Sequence, residues 1–188
     1  MSVPQPPRPA KLIIGLLLAR KDLFPLLAAE LEAAFGTLDL VSAWMAFGYT
    51  SYYAPEMGAE VVRRVLAFRS LVDQERLAEI KLATNAIEQA HAVDGRRQAN
   101  LDPGYLLLER FVLATGKNYS HRIYIGRGIY ADLTLIYRRG TFEALPWTYP
   151  DYADRPLRRF LLAVRGKYAL DIKMRALQGR QGGGRPDD

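Results

Sequence analysis

The sequence predicts an α+β fold: a ferredoxin-like split βαβ sandwich with an added C-terminal β-hairpin and a final helix. Two observations lead to this class. Segments with the apolar patterns of strands and helices alternate in the order strand, helix, strand, strand, helix, strand. Two further strand-like segments joined by glycines, and then a long basic helical segment, follow that unit.

The first half of the chain supplies the first four elements. Residues 11–19 (KLIIGLLLA) are apolar without alternation, which is typical of a strand buried on both faces. Residues 22–35 carry apolar side chains at helical spacing and stop before Gly36, which favours a helix with a glycine C-cap. Residues 38–47 predict a second strand. Residues 61–71 fit a strand slightly better than a helix.

The second half begins with a predicted helix over residues 76–91 that has two unlike sides. One side is apolar, and the opposite side carries four polar residues within about 100° of one another: Lys81, Thr84, Asn85 and Glu88. Asp102-Pro103-Gly104 then predicts a turn. Residues 114–117 (ATGK) lack the upstream glycine of a phosphate loop and favour a helix C-cap.

The remaining elements are strands and one helix. Gly126-Arg127-Gly128 predicts the hairpin turn between strands over residues 122–125 and 129–138. A short strand is expected over residues 141–145, and a basic helix over residues 156–177.

Composition limits the domain organisation. We expect a disordered Pro-rich arm over residues 1–10, a single α+β domain over residues 11–177 and a disordered tail over residues 178–188. No cysteine is present, so disulfides and cysteine zinc sites are excluded. The longest apolar run is far shorter than the roughly 20 residues of a membrane helix, and no signal peptide is recognisable. The simplest expectation is a soluble cytoplasmic protein.

The net charge is +6, and residues 151–188 contribute much of it. Such a basic end can bind nucleic acid or another polyanion. A solvated helix face followed by a solubilising tail is the more common meaning of such a pattern, and we favour it.

Five motifs carry a resemblance to a known family. They are TSYYAPEMG (50–58), IKLATNAIE (80–88), NLDPGY (100–105), HRIYIGRGIYADLTL (121–135) and LPWTYPDY (145–152). Together they resemble an uncharacterised prokaryotic family, domain of unknown function 4416 (DUF4416). Some of its members carry the label GTP-binding protein. The resemblance implies that these motifs are the family's shared feature. The chain has no GxxxxGK[ST] loop, so the label gains no support from an ordinary phosphate loop.

Residues 97–152 contain most of the candidate binding residues. This stretch holds seven of the eleven tyrosines, together with cations and carboxylates. Arginine and lysine suit phosphate recognition, and tyrosine rings suit stacking on a base. The predicted ligand-binding residues are Arg97, Asn100, Tyr105, Lys117, Arg122, Tyr130, Asp132, Lys81, Asn85 and Glu88. Cross-strand Tyr–Arg pairs on a solvent-facing sheet are an alternative that the sequence favours about equally.

Three residues are candidates for catalysis. Glu56 and Asp102 suit Mg²⁺, which needs only one or two carboxylates when a substrate phosphate is present. His121 is the third candidate, because histidine side chains commonly act as general acids or bases, although a lone histidine is more often structural. The carboxylates do not follow a metal-ligand spacing, and a role in turns or beside arginines remains open.

The leading hypothesis is therefore a cleft that binds a small phosphorylated or nucleotide-like ligand. Mg²⁺-dependent hydrolysis or phosphoryl transfer is its most concrete chemistry, and whether the protein is an enzyme stays open. The alternative is a non-catalytic RNA-binding or protein-interaction module. The RNP1 pattern is absent, which weakens the RNA hypothesis.

Overall fold

The computed structural model describes residues 1–58 and 60–181. Nine strands form along this part of the chain: β1 (Ala10–Leu18), β2 (Leu38–Val41), β3 (Met45–Phe47), β4 (Val61–Val72), β5 (Ala99–Leu106), β6 (Arg110–Thr115), β7 (Arg122–Gly126), β8 (Ile129–Arg138) and β9 (Thr141–Ala144). The α-helices are α1 (Phe24–Phe35), α2 (Ala54–Met57), α3 (Leu77–Ala90), α4 (Pro150–Ala153) and α5 (Arg155–Gln181). Short 3-10 helices, Lys21–Leu23 and Gln74–Arg76, precede α1 and α3.

All nine strands belong to one antiparallel sheet. Its order is β2-β4-β1-β5-β6-β8-β7, with β3 paired to β4 and β9 paired to β8. The predicted mixture of helices with a sheet is confirmed.

The strand β1 lies at the centre of three layers. It is buried along its whole length between β4 and β5. On one face its side chains pack against Leu27 and Leu31 of α1 and Ile80 of α3. On the other face the sheet packs against Leu157 and Leu161 of α5. Both faces are covered, which explains the unbroken apolar sequence of this strand.

Most of the elements in the first half agree with prediction. The helix α1 ends at Phe35, and Gly36 follows it with φ 92°, a backbone region that favours glycine. Residues 61–71 form a strand, as predicted. The single strand predicted over residues 38–47 is wrong, because two short strands, β2 and β3, pair with different parts of β4. Between them the Ser42 hydroxyl accepts the hydrogen bond of the Val65 N–H, so a side chain interrupts the ladder.

The second half contains two corrections. Residues 114–117 do not cap a helix: Ala114 and Thr115 end β6 and pair with β8. The apolar run before them is buried in the sheet, and burial overrides local helix propensity. The hairpin turn is confirmed, with Gly126 and Gly128 at φ 102° and 78°.

The predicted turn at Asp102-Pro103-Gly104 is also wrong. The strand β5 runs straight through these residues, and Pro103 lies opposite Ile14 of β1. On its other side β5 pairs with β6 only from Gly104 to Leu106. Residues 99–103 of β5 therefore have no partner in β6, and the sheet splits between these two strands.

The secondary structure at the two ends of the chain can be compared with the predicted arm and tail. Residues 1–9 have no regular secondary structure, whereas α5 continues to Gln181. Of the tail predicted over residues 178–188, residues 182–188 lie outside the described residues. The division into arm, domain and tail stays a prediction. Within the described chain no helix is both long and apolar enough to cross a membrane.

Gly104 lies in the last β5–β6 pair before the sheet splits. It offers a test of how closely the two strands approach each other there. A Cβ added to Gly104 would lie 2.4 Å from the Val112 carbonyl oxygen. We expect Gly104→Ala to destabilise the fold by about 1 to 3 kcal/mol, because two backbones would have to move apart. Gly166→Ala is the matched control. Gly166 has open space in α5, so alanine should stabilise that helix by up to about 1 kcal/mol. Urea unfolding measures both, and equal effects would contradict this account.

Candidate functional site

A cleft of about 520 Å³ opens where β5 and β6 separate. Its walls come from α3, the loop after β3, the C-terminal end of β6 and the chain around α4. Eight of the sequence-predicted site residues line it: Lys81, Asn85, Glu88, Arg97, Asn100, Asp102, Lys117 and Asp132. Residues far apart in sequence are thus brought together by the split in the sheet.

The direction of the β5 backbone explains why the split occurs at Pro103. Leu107, just beyond β5, donates its N–H to the Arg110 carbonyl at the start of β6. Alternate residues of a strand direct their hydrogen-bonding groups to the same side, so Pro103 also faces β6. Proline has no N–H to donate. The ladder therefore cannot extend regularly past this residue.

The polar side of α3 replaces the missing strand. Leu101 donates its N–H to Glu88 (2.7 Å) and accepts a hydrogen bond from the Lys81 ammonium on its carbonyl (2.8 Å). Lys81 and Glu88 also lie 3.7 Å apart, and both are buried. Burial raises the pKa of Glu88. These contacts satisfy the backbone groups that β6 leaves unpaired, so the two side chains have a structural role at the cleft.

A chain of polar contacts runs along one wall. Arg97 donates from Nε and Nη2 to the two Glu56 oxygens, at 2.6 and 2.9 Å. Its Nη1 donates to Asn100, 3.3 Å away. Asn100 then donates to Asp102, at 2.9 Å. The predicted catalytic and metal-binding carboxylates, Glu56 and Asp102, are thus joined through Arg97 and Asn100.

Glu56 and Asp102 differ in how free their carboxylate oxygens are to bind a metal or a ligand. Both oxygens of Glu56 accept from Arg97, which lowers the pKa of Glu56. Asp102 has a side chain that is 26% exposed and stays open to the cleft. Among the described residues, no three His, Asp or Glu side chains converge in the manner of a metal site. A Mg²⁺ site would therefore rely on Asp102 together with ligand oxygens.

The floor of the cleft contains Arg63, a residue that sequence reasoning did not place in the site, together with Asp151 and Tyr152. Arg63 is only 3% exposed, and its Nη2 lies 2.7 Å from Asp151 and 3.5 Å from Asp102. The guanidinium also packs 4.7 Å from the centre of the Tyr152 ring. Burial raises the pKa of Asp151 despite the nearby guanidinium. The sequence signal that could have indicated Arg63 is its position as a charged residue among the apolar residues on the inward-facing side of β4.

The mouth of the cleft is cationic and aromatic. The Lys117 ammonium lies 4.5 Å from the centre of the Tyr52 ring, and the Arg97 guanidinium lies 6.0 Å from it. A hydrogen bond with Arg97 and the charge of Lys117 lower the pKa of Tyr52. Tyr52 and Lys117 are exposed, so both groups are available to a ligand.

Arg122 holds the wall together behind the cleft. Its guanidinium donates to Asp132 (2.9 Å), to the Lys117 carbonyl (2.9 Å) and to the Tyr149 hydroxyl (2.6 Å). The side chain is 4% exposed. These contacts place Arg122 among supporting residues rather than on the open surface where a phosphate would bind.

His121, Tyr105 and Tyr130 are not part of the cleft lining. His121 stacks on Trp147 with ring centroids 5.0 Å apart, and its Nε2 lies 3.3 Å from Asp132 without hydrogen-bond geometry. Tyr105 packs against the core, and Tyr130 lies edge-on to Tyr124. The structure therefore does not bring His121 together with Glu56 and Asp102.

The fold and the cleft define an α+β protein with a split antiparallel sheet. A family model, Domain of unknown function (DUF4416), matches residues 8–168. The chain belongs to this family, as the five motifs indicated. Comparison with curated proteins finds no significant match, and comparison with solved structures finds none.

The support of β5 by α3 predicts different effects for two substitutions at one position. Glu88→Ala leaves the Leu101 N–H and Lys81 without this partner, so we expect a loss of about 2 to 3 kcal/mol. Glu88→Gln keeps an acceptor for Leu101 and should cost less than about 1 kcal/mol. Gln89→Ala, at the exposed neighbouring position, serves as control. Chemical denaturation measures all three, and equal losses for the two Glu88 variants would refute the acceptor role.

Proposed function

We propose that this protein binds a small phosphorylated or nucleotide-like ligand in the cleft between β5 and β6. One observation supports this most directly: Arg97, Lys117 and Tyr52 come together at the cleft mouth. Cations bind phosphate oxygens, and an exposed tyrosine ring offers a stacking surface for a base. The volume of about 520 Å³ lies within the range of small-molecule sites.

The proposal also assigns a chemical role to Asp102. A ligand that binds with its phosphate inward would bring it instead to Asp102, a partly exposed carboxylate beside cations, and that orientation would suit a Mg²⁺-dependent step. Glu56 would act through Arg97, which it holds in place. His121 would act only if its ring moved from its stack on Trp147 toward the cleft.

We further propose that the first part of the sheet is a ferredoxin-like unit. The order β2-β4-β1-β5, antiparallel at each pair, supports this, as do α1 and α3 on one face. In such a unit an RNA-binding module uses the opposite face of the sheet. Here Leu157 and Leu161 of α5 pack on that face, which disfavours the RNA alternative. A cytoplasmic location stays a prediction.

Calorimetric titration tests ligand binding at the mouth. The probes are AMP, GMP, CMP, UMP and ribose 5-phosphate, each with and without Mg²⁺. Lys117→Ala should lower the affinity of any probe that binds by about 10-fold, because a charge-assisted contact with the phosphate is lost. Lys173→Ala removes the same charge from an exposed site on α5 and should have no effect.

Two results would contradict the proposal. One is the absence of binding by any probe to the folded wild-type protein. The other is an equal effect of Lys117→Ala and Lys173→Ala, which would show that overall charge rather than the cleft mouth attracts the ligand.

A further inference from the structure

We infer that the ligand of this cleft has two unlike ends: an anionic group that binds at the mouth and hydrogen-bond donors that reach Asp102 at the floor. A nucleotide whose base carries an amino group has this arrangement. The inference rests on the proposed function and adds to it the chemical class of the inner end.

The mouth and the floor differ in the balance of charge. At the mouth Arg97 is paired with Glu56, and Lys117 lies against the same Tyr52 ring as Arg97. Within the described part of the chain Lys117 forms no ion pair closer than 4 Å. The mouth therefore has one cation in excess and favours an anion.

At the floor the balance is reversed. Asp102 and Asp151 share one cation, Arg63, and Asp151 is the closer partner at 2.7 Å. Asp102 lies 3.5 Å from the same nitrogen, which is long for a strong contact. Its other oxygen accepts from the Asn100 amide. Asp102 thus retains acceptor capacity, and its partial exposure lets a ligand donor reach it.

The floor also has unused hydrogen-bonding groups beside Asp102. Arg63 is nine-tenths buried or more, and its Nε and Nη1 have no partner among the described residues. The Tyr152 hydroxyl, also buried, lacks a partner in the same part of the chain. Unpartnered buried polar atoms are costly, which indicates that the floor is completed by a polar molecule that offers an acceptor to the Arg63 N–H groups as well as a donor to Asp102.

Packing holds this floor in position. A Cβ at Gly15 would lie 2.7 Å from the Tyr152 hydroxyl and 3.4 Å from Arg63 Nη1, so these groups sit directly on the β1 backbone. Tyr152 also stacks on Phe111 with ring centroids 5.6 Å apart. A site fixed in this way discriminates between ligands, because it cannot adjust to a missing donor.

Matched nucleotides test the inference on the wild-type protein. GMP carries an amino group that IMP lacks, and CMP has an amino group where UMP has a carbonyl. By titration calorimetry we expect the amino-bearing member of each binding pair to bind at least about 10-fold more tightly, as for a hydrogen bond to a charged acceptor. Ribose 5-phosphate, which lacks a base, should bind more weakly than either member.

Each other outcome has a definite meaning. Equal affinities within a pair, or a preference for IMP and UMP, would overturn the inference while leaving phosphate binding at the mouth intact. If ribose 5-phosphate binds as tightly as the nucleotides, the floor contributes nothing and the inference fails. If no probe binds, the proposed function fails with it.

A substitution at Asp102 supplies a second test. Asp102→Asn keeps the shape of the side chain but replaces one acceptor oxygen with a donor amide, so the preference for an amino group should fall to about twofold or less. Asp22→Asn, at an exposed site before α1, is the control and should keep the wild-type preference. Circular dichroism verifies that both variants fold. A folded Asp102→Asn protein with an unchanged preference would overturn the inference.

Discussion

The unfinished pairing of β5 with β6 is the constraint on which the site depends. A sheet that loses a strand partner in its interior exposes backbone groups that must be satisfied. Here Pro103 removes one donor, while Lys81 donates to the C=O of Leu101 and Glu88 accepts from its N–H. The helix α3 therefore allows the sheet to stay open, and the open region becomes the cleft. A continuous ladder at this place would leave no space for a ligand.

Buried charge organises the walls of that space. Arg63 and Arg122, both buried, and the half-buried Arg97 each contact at least one carboxylate, and each connects a different pair of chain segments. Such charges are costly to bury unless they are paired and hydrogen-bonded, so their geometry is closely specified. The walls are consequently held in position before a ligand arrives. Preorganisation of this kind favours selective binding, because few side chains lose conformational entropy when a ligand binds.

The helix α5 contributes by covering the sheet on the face opposite α1 and α3. Its apolar residues complete the core, and Lys11 in β1 pairs with Asp171 at 2.7 Å. This buried ion pair connects the central strand to the final helix. With both sheet faces covered, the split between β5 and β6 is where polar groups of the sheet interior meet open space. Polar side chains from several elements thus meet in this cleft.

The sequence by itself determined the three longest helices, most strands and the hairpin turn, because apolar period and glycine position are local signals. Its five motifs indicated the family. It also selected Arg97, Asn100, Asp102 and Lys117 as site residues. Only the tertiary structure decided that Asp102-Pro103-Gly104 is a strand, that Lys81 and Glu88 support a backbone, and that Arg63 and Asp151 form the floor. These features depend on which strands become neighbours. Strand pairing is a long-range property that no local pattern contains.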